Sequence, residues 1–138
     1  MERRLNLQGP EDAVVYRHLV YGFLVGGQDS AKGKEAIYQM SRIKKELFAC
    51  GRFVDVPLQA LPSDEEAIKL FRTPGLLVYK TGQGIVLRDG KCGIQLYQHD
   101  WDFLGKRIEA VAWGAIESDE VAELLDRISA APVVPDSR

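Results

Sequence analysis

An alternation of apolar and polar residues over 76–98, broken by the dipeptide Asp89-Gly90, constrains the fold more than any other feature of the sequence. A period of two is typical of strands that are buried on one face, and Asp-Gly supplies the positive φ angles of a tight hairpin turn. A second turn is predicted at "TGQG", residues 81–84. The pattern therefore predicts a three-stranded antiparallel meander of the segments "LLVYK", "GIVLR" and "KCGIQLYQ".

The alternation also assigns the two faces of this meander, because successive side chains of a strand point to opposite sides. We expect one face to pack on helices and the other to be half exposed. The packed face would carry Leu77, Tyr79, Ile85, Leu87, Cys92, Ile94 and Leu96, and the half-exposed face Lys80, Arg88, Lys91, Gln95 and Tyr97 beside Leu76 and Val78.

Two segments in the first half of the chain have helical spacing. Gly9 and Pro10 predict a helix entry, and the first helix is expected over 10–25, although its β-branched pairs also permit a strand. The second helix is predicted to run from an N-cap at Ser30 to a stop at Gly51. Its apolar stripe is Ala36, Met40, Ile43, Leu47 and Cys50.

Two further helices are predicted from capping signals. Ser63 and Glu66 form a capping box for a helix that closes at Pro74. Ser118 is expected to cap the last helix, which Pro132 stops. Short strands are predicted at "RFVDVPL", where Pro57 marks a sheet edge or a strand end, and at "RIEAVAWGAI", residues 107–116.

These segments together predict an α+β fold, with an antiparallel sheet of four or five strands packed against about four helices. The central part of the sheet would be the meander. The expected order is helix, helix, strand, helix, three strands, strand, helix. We expect a single globular domain over 1–131 and a C-terminal tail over 132–138.

Composition argues for an ordinary folded domain, since 46% of the 138 residues are hydrophobic and 28% are charged. The longest apolar stretch, 13–25, is shorter than the roughly 20 residues that span a bilayer, and the N-terminus lacks the apolar core of a signal peptide. We therefore expect a cytoplasmic protein without membrane contact. Cys50 and Cys92 are predicted to be free thiols, because a domain of this size needs no disulfide and a reducing compartment would not keep one.

The segment "QHDWDFLG", residues 98–105, concentrates the side chains that could carry chemistry. Asp100 would orient the His99 imidazole only if the chain turned sharply there. We interpret the segment as a turn that Trp101 and Phe103 hold to the core. His18 is interpreted as a structural histidine, and no catalytic residue is assigned.

No cofactor or metal site is predicted. The two histidines and two cysteines match none of the paired spacings of structural zinc sites. Cys92 and His99 are too far apart along an extended strand to form a nucleophile–base pair. A phosphate loop is not favoured either, because Gly33 and Lys34 are followed by Glu35 rather than by Ser or Thr.

The leading hypothesis is a small non-catalytic binding or regulatory domain that acts through protein–protein contacts, as a homodimer or with a protein partner. The alternative is a small-molecule-binding domain or small enzyme with a pocket near His99 and Asp100. The other residues predicted to contribute to that pocket are Trp101, Tyr79, Tyr97, Trp113 and His18.

A second alternative is nucleic-acid binding through the basic helix 32–52. Its cationic side chains are Lys34, Arg42, Lys44, Lys45 and Arg52. We do not favour it, because the net charge is −2 and no set of aromatic residues for base stacking accompanies the basic residues.

Overall fold

The computed structural model describes residues 1–26, 33–56, 75–80, 82–88 and 91–135. Within these residues the fold is α+β, as predicted, with four α-helices and two three-stranded antiparallel sheets. The helices are α1 (Ala13–Val25), α2 (Lys34–Ala49), α3 (Gln98–Glu109) and α4 (Ala115–Ala130). The strands are β1 (Glu2–Gln8), β2 (Gly51–Asp55), β3 (Leu77–Lys80), β4 (Gln83–Leu87), β5 (Lys91–Tyr97) and β6 (Val133–Val134).

The first sheet has the order β5-β1-β6 and the second the order β2-β4-β3. β1 pairs with β5 from Glu2 opposite Tyr97 to Gln8 opposite Lys91. One hydrophobic core joins both sheets to the helices, and it contains Leu5 and Leu7 of β1 together with Ile85 of β4. The start of the predicted C-terminal tail thus contributes a short strand, because β6 pairs with the opposite edge of β1.

The predicted three-stranded meander is wrong in its third strand. β3 and β4 form the expected hairpin, but β5 pairs with β1 instead of β4. Both edges of β4 are already occupied, by β2 and by β3. β1 offers β5 a seven-residue partner that also buries Leu5 and Leu7. The strand at the N-terminus was not predicted.

The predicted burial of the strands is confirmed at most of the positions that the structure describes. Ile85, Leu87, Ile94 and Leu96 are buried, and Val78 is exposed. Leu76 is an exception, because it is predicted on the half-exposed face but is buried, with 7% of its surface exposed.

Three predicted features lie outside the described residues: the Ser30 cap, the Ser63 helix and the Asp89-Gly90 turn. In the structure, α2 has Gly33 as its N-cap.

The segment 98–116 was assigned wrongly. The predicted turn "QHDWDFLG" is the beginning of α3, and the predicted strand "RIEAVAWGAI" spans the end of α3 and the start of α4. Trp101, Leu104 and Ile108 recur at helical spacing and are buried. The last helix begins earlier than predicted, with Gly114 as its N-cap, and Ser118 donates a hydrogen bond of 2.9 Å to the Gly114 carbonyl oxygen.

The prediction of free thiols is also wrong, because Cys50 and Cys92 form a disulfide with a Cα–Cα distance of 5.7 Å. Cys50 directly precedes β2 in one sheet, and Cys92 lies in β5 of the other. The bond therefore ties the two sheets together. Since disulfides persist mainly in oxidising compartments, the cysteines do not support the cytoplasmic expectation.

Among the described residues, no helix has the length and apolar character needed to cross a membrane.

α1 crosses α3 at two glycines. A Cβ atom at Gly22 would lie 2.7 Å from Cγ1 of Ile108, and one at Gly26 would clash with the backbone carbonyl of Arg107. The Arg107 guanidinium donates two hydrogen bonds, of 2.9 and 2.6 Å, to the carbonyl oxygen of Phe23 near the end of α1. This close contact fixes α1 in the centre of the fold.

Removal of the disulfide is expected to destabilise the protein by about 4 kcal/mol, because the bridge closes a loop with a sequence separation of 42. Urea denaturation of the Cys50→Ala/Cys92→Ala variant, compared with the oxidised wild type, measures the effect. The reduced wild type should unfold near the midpoint of the variant. Two titratable thiols in the unfolded, non-reduced wild type would contradict the assignment.

Asp12 links the start of α1 to α4 and β1. Its Oδ1 accepts a hydrogen bond of 2.9 Å from Nη1 of Arg127, and its Oδ2 accepts one of 2.8 Å from the backbone N–H of Gln8. The hydrogen bond from Arg127, supported by the Gln8 N–H and the positive charge, outweighs partial burial and lowers the pKa of Asp12 below its ordinary 3.8. The ionised carboxylate therefore stabilises the folded state above the unfolded pKa, and this stabilisation is lost as the pH falls through the lower folded pKa.

We expect Asp12→Asn to lower the free energy of unfolding at pH 7 by about 1 kcal/mol. The difference from wild type should shrink as the pH falls below about 4 and disappear once wild-type Asp12 is also protonated. Urea titrations between pH 7 and pH 3 test both expectations, with Asp55→Asn at an exposed position of β2 as the control. A difference that persists or grows in acid would contradict the assignment.

Candidate functional site

His18 is buried in α1, with 6% of its surface exposed, and contacts a carboxylate of α4. Its Nε2 lies 2.6 Å from Oε2 of Glu120. The imidazole also packs edge to face on Trp113, with ring centroids 5.3 Å apart. The carboxylate and the indole therefore hold the imidazole in one orientation.

Trp113 lies in the connection between α3 and α4, where its own hydrogen bond positions it. Its indole N–H donates a bond of 2.9 Å to the carbonyl oxygen of Ile108 in α3. Tyr21, one turn after His18 on α1, lies against the same indole with centroids 5.6 Å apart and planes inclined by 56°. Three rings from two parts of the chain therefore meet at one place.

These residues line a cleft of about 450 Å³ between α1 and α4, which we call the α1–α4 cleft. Glu120 is accessible there, since 46% of its side chain is exposed. Within the described part of the chain, the side chains of Arg17 and Glu117 form no hydrogen bond or ion pair. The lining residues are Val14, Arg17, His18, Tyr21, Gly75, Trp113, Glu117 and Glu120.

The chemistry available in the cleft follows from these side chains. A carboxylate that fixes an imidazole is suited to moving a proton or to holding a polar ligand. Of the hydroxyl and thiol groups that a neighbouring base can activate as nucleophiles, the described lining has only the phenol of Tyr21. Among the described residues, no group of three His, Cys, Asp or Glu side chains could hold a metal ion.

His99 and Asp100 lie elsewhere, at the start of α3. The His99 side chain is 67% exposed and stacks on Tyr97, with centroids 5.6 Å apart and planes inclined by 8°. Asp100 is 1% exposed and accepts hydrogen bonds from Gln39, of 3.0 Å, and Arg42, of 3.1 Å. These bonds attach α3 to α2. The depression beside His99 measures about 270 Å³, smaller than the α1–α4 cleft.

The remaining residues of the predicted pocket are separated from each other. Trp101 is buried in the core, and its indole N–H donates a bond of 2.9 Å to the carbonyl oxygen of Arg3. Tyr79 packs edge to face on Phe48 of α2, with centroids 4.8 Å apart. Of the predicted residues, His18 and Trp113 share one cleft, and His99, Asp100 and Tyr97 share another region.

The basic side chains of helix 32–52 are partly engaged within the protein. Arg42 bonds to Asp100, and the Lys34 ammonium lies 5.7 Å from the centroid of the Tyr38 ring. Lys44 lies 5.7 Å from the Phe48 ring centroid. Lys45 and Arg52 are exposed, at α2 and β2. Nucleic-acid binding stays a prediction.

The sequence predicts His18 and Trp113 as pocket residues but not the other lining residues, among them Arg17, Tyr21, Glu117 and Glu120. Glu117 and Glu120 stand three positions apart, so they lie on one face of a helix, and Arg17 and Tyr21 are related in the same way by four positions. That signal was present in the sequence. What was missing is the contact of α1 with α4, which joins residues 102 positions apart at His18 and Glu120.

The comparisons with known proteins add no relative. No protein-family model matches the chain, and neither the curated proteins nor the solved structures gave a significant match. The function of the chain is therefore inferred from the geometry of the α1–α4 cleft.

Proposed function

We propose that this chain is a small binding domain whose ligand occupies the α1–α4 cleft. The observation that carries the proposal is the convergence of His18, Glu120 and Trp113, each held by a specific contact, on one concave surface. Ligand sites typically enclose about 300–1,000 Å³ and combine apolar walls with a few convergent polar groups. The cleft, at about 450 Å³, falls within that range.

The positions of the polar groups also favour this cleft over the region near His99. Asp100 already accepts hydrogen bonds from Gln39 and Arg42, so its carboxylate serves the contact between helices. In the α1–α4 cleft, Glu117 has no such partner among the described residues and Glu120 is half exposed. Polar groups that the protein has not satisfied internally are available to a ligand.

NMR spectroscopy of the two indole N–H groups tests the proposal, with benzylamine, benzyl alcohol and benzoate as probes. We expect at least one probe to shift the Trp113 signal with a Kd near 1 mM, about 0.5 kcal/mol for each non-hydrogen atom. The Trp101 signal should not move, because that indole is buried in the core.

Tyr21→Ala should weaken the binding of this probe at least threefold, because it removes one aromatic wall of the cleft. Tyr38→Ala is the matched control, since Tyr38 is exposed on α2 and lines a different depression. If none of the three probes shifts the Trp113 signal at 10 times the expected Kd, the proposal is wrong.

Self-association is a second candidate, supported by apolar side chains on the outer side of α1. Val14, Tyr21, Leu24 and Val25 are 41%, 38%, 37% and 50% exposed. Apolar residues grouped on one helix face favour protein contacts, and a symmetric homodimer is the commonest outcome. Such a dimer would retain the regulatory binding role expected from the sequence.

Sedimentation equilibrium tests this candidate, and we expect a dimer at concentrations of about 10–100 μM, with a Kd near 10 μM. The Leu24→Ser/Val25→Ser variant should shift the Kd at least tenfold towards the monomer, because it removes apolar area from the contact. Ile116→Ser is the control, since Ile116 is 86% exposed and lies on α4. A wild type that is monomeric at 100 μM would contradict the candidate.

A further inference from the structure

We propose that the α1–α4 cleft selects a small organic cation, with an ammonium or guanidinium group beside an apolar ring. This inference rests on the proposed ligand-binding function and adds the charge of the ligand. Three features of the cleft carry it: the balance of its charges, the exposure of its carboxylates and the arrangement of its aromatic rings.

Negative charge exceeds positive charge in the cleft. Glu117 and Glu120 contribute two carboxylates, whereas Arg17 contributes one guanidinium. The formal charge count at pH 7 takes histidine as neutral, so His18, whose Nε2 lies 2.6 Å from Oε2 of Glu120, adds no charge to this count. Within the described residues Arg17 forms an ion pair with neither carboxylate, so it does not cancel them by direct contact.

One of the two carboxylates is held in position, and both are accessible to a ligand. Oε2 of Glu120 contacts the imidazole of His18, whose side chain is only 8% exposed. The Glu120 side chain remains 46% exposed, so the carboxylate can still accept a bond from a ligand. Glu117 lies one turn earlier on α4, on the same side of the helix, and also lines the cleft. A cation between the two would contact both.

The aromatic rings favour the same ligand. The face of an aromatic ring carries negative potential and attracts ammonium and guanidinium groups, and Trp binds them best. Trp113 is fixed by its bond to Ile108, and the Tyr21 ring lies against it at an inclination of 56°. Because the bond holds Trp113 in place, little rotational freedom is lost when a ligand binds. An anionic ligand would be repelled by the rings and by both carboxylates.

The three probes share an aromatic ring and differ in charge, so a comparison of their affinities measures the effect of the ligand's charge. At pH 7 benzylamine is a cation, benzyl alcohol is neutral and benzoate is an anion. From the shift of the Trp113 indole signal we expect benzylamine to bind at least threefold more tightly than benzyl alcohol, and benzoate to bind most weakly. The benzylamine affinity should fall with added salt, whereas the benzyl alcohol affinity should not.

Two substitutions in the cleft should have opposite effects on benzylamine. Glu117→Gln removes an attractive charge and should weaken binding about threefold, whereas Arg17→Gln removes a repulsive charge and should strengthen binding about twofold. Neither substitution should change the affinity for benzyl alcohol. Both side chains lie on the surface, so the fold is retained. Glu123→Gln, an exposed position of α4 outside the cleft, is the control.

The outcomes separate this inference from the proposed function. If benzyl alcohol or benzoate binds as tightly as benzylamine, the cleft is a ligand site but not a cation site. If Arg17→Gln weakens benzylamine binding, the Arg17 guanidinium does not repel the cation and the inference is wrong. If no probe shifts Trp113, the proposed function fails together with the inference.

Discussion

The antiparallel pairing of β1 with β5 is the contact on which the arrangement of the chain depends. It runs the full length of both strands, from Glu2 opposite Tyr97 to Gln8 opposite Lys91. Because β5 pairs with β1 and not with the β3–β4 hairpin, the strands form two separate sheets. The same division brings Cys92 of one sheet beside Cys50 at the entrance of the other, where the disulfide closes. α3 follows β5 without a connecting loop, so the pairing also sets where α3 begins.

α1 contributes one wall of the α1–α4 cleft, and its contacts with α3 and α4 fix its position. Gly22 in α1 and Gly26 directly after it allow α3 to approach so closely that a side chain would not fit at either position. The Arg107 guanidinium, desolvated between α1 and α3, has a lowered pKa and is held by the Phe23 carbonyl oxygen. At the other end of α1, Asp12 bonds to Arg127 of α4. With α1 fixed at both ends, His18 in its middle meets Glu120 without a flexible element between them.

The parts of the fold that the sequence predicts are those with local causes. The stripe through Ile43 and Leu47 defines α2 without reference to any other segment, and the β3–β4 hairpin is set by its own turn and alternation. The β1–β5 pairing and the disulfide are non-local, and no spacing in the sequence specifies them. The α3 segment was misread although Trp101, Leu104 and Ile108 carry a helical period, because its aspartates and aromatic residues also suit a turn. The same distinction applies to the site. The sequence predicts His18 and Trp113 as individual pocket residues, but their proximity to Glu120 depends on the tertiary contact between α1 and α4.

The rigidity of the cleft has a consequence for binding. When a ligand must order loops and side chains, the binding free energy becomes less favourable by about 0.5–1.5 kcal/mol for each immobilised side chain. Here the imidazole, the indole and one carboxylate are already held by bonds within the protein. The positions left adjustable are Glu117 and Arg17, which carry opposite charges on facing helices. The shape of the cleft is therefore set by the fold, whereas the affinity for a charged ligand also depends on these two side chains. This division explains why substitutions at 17 and 117 should change selectivity without changing stability, whereas substitution of His18 would affect both.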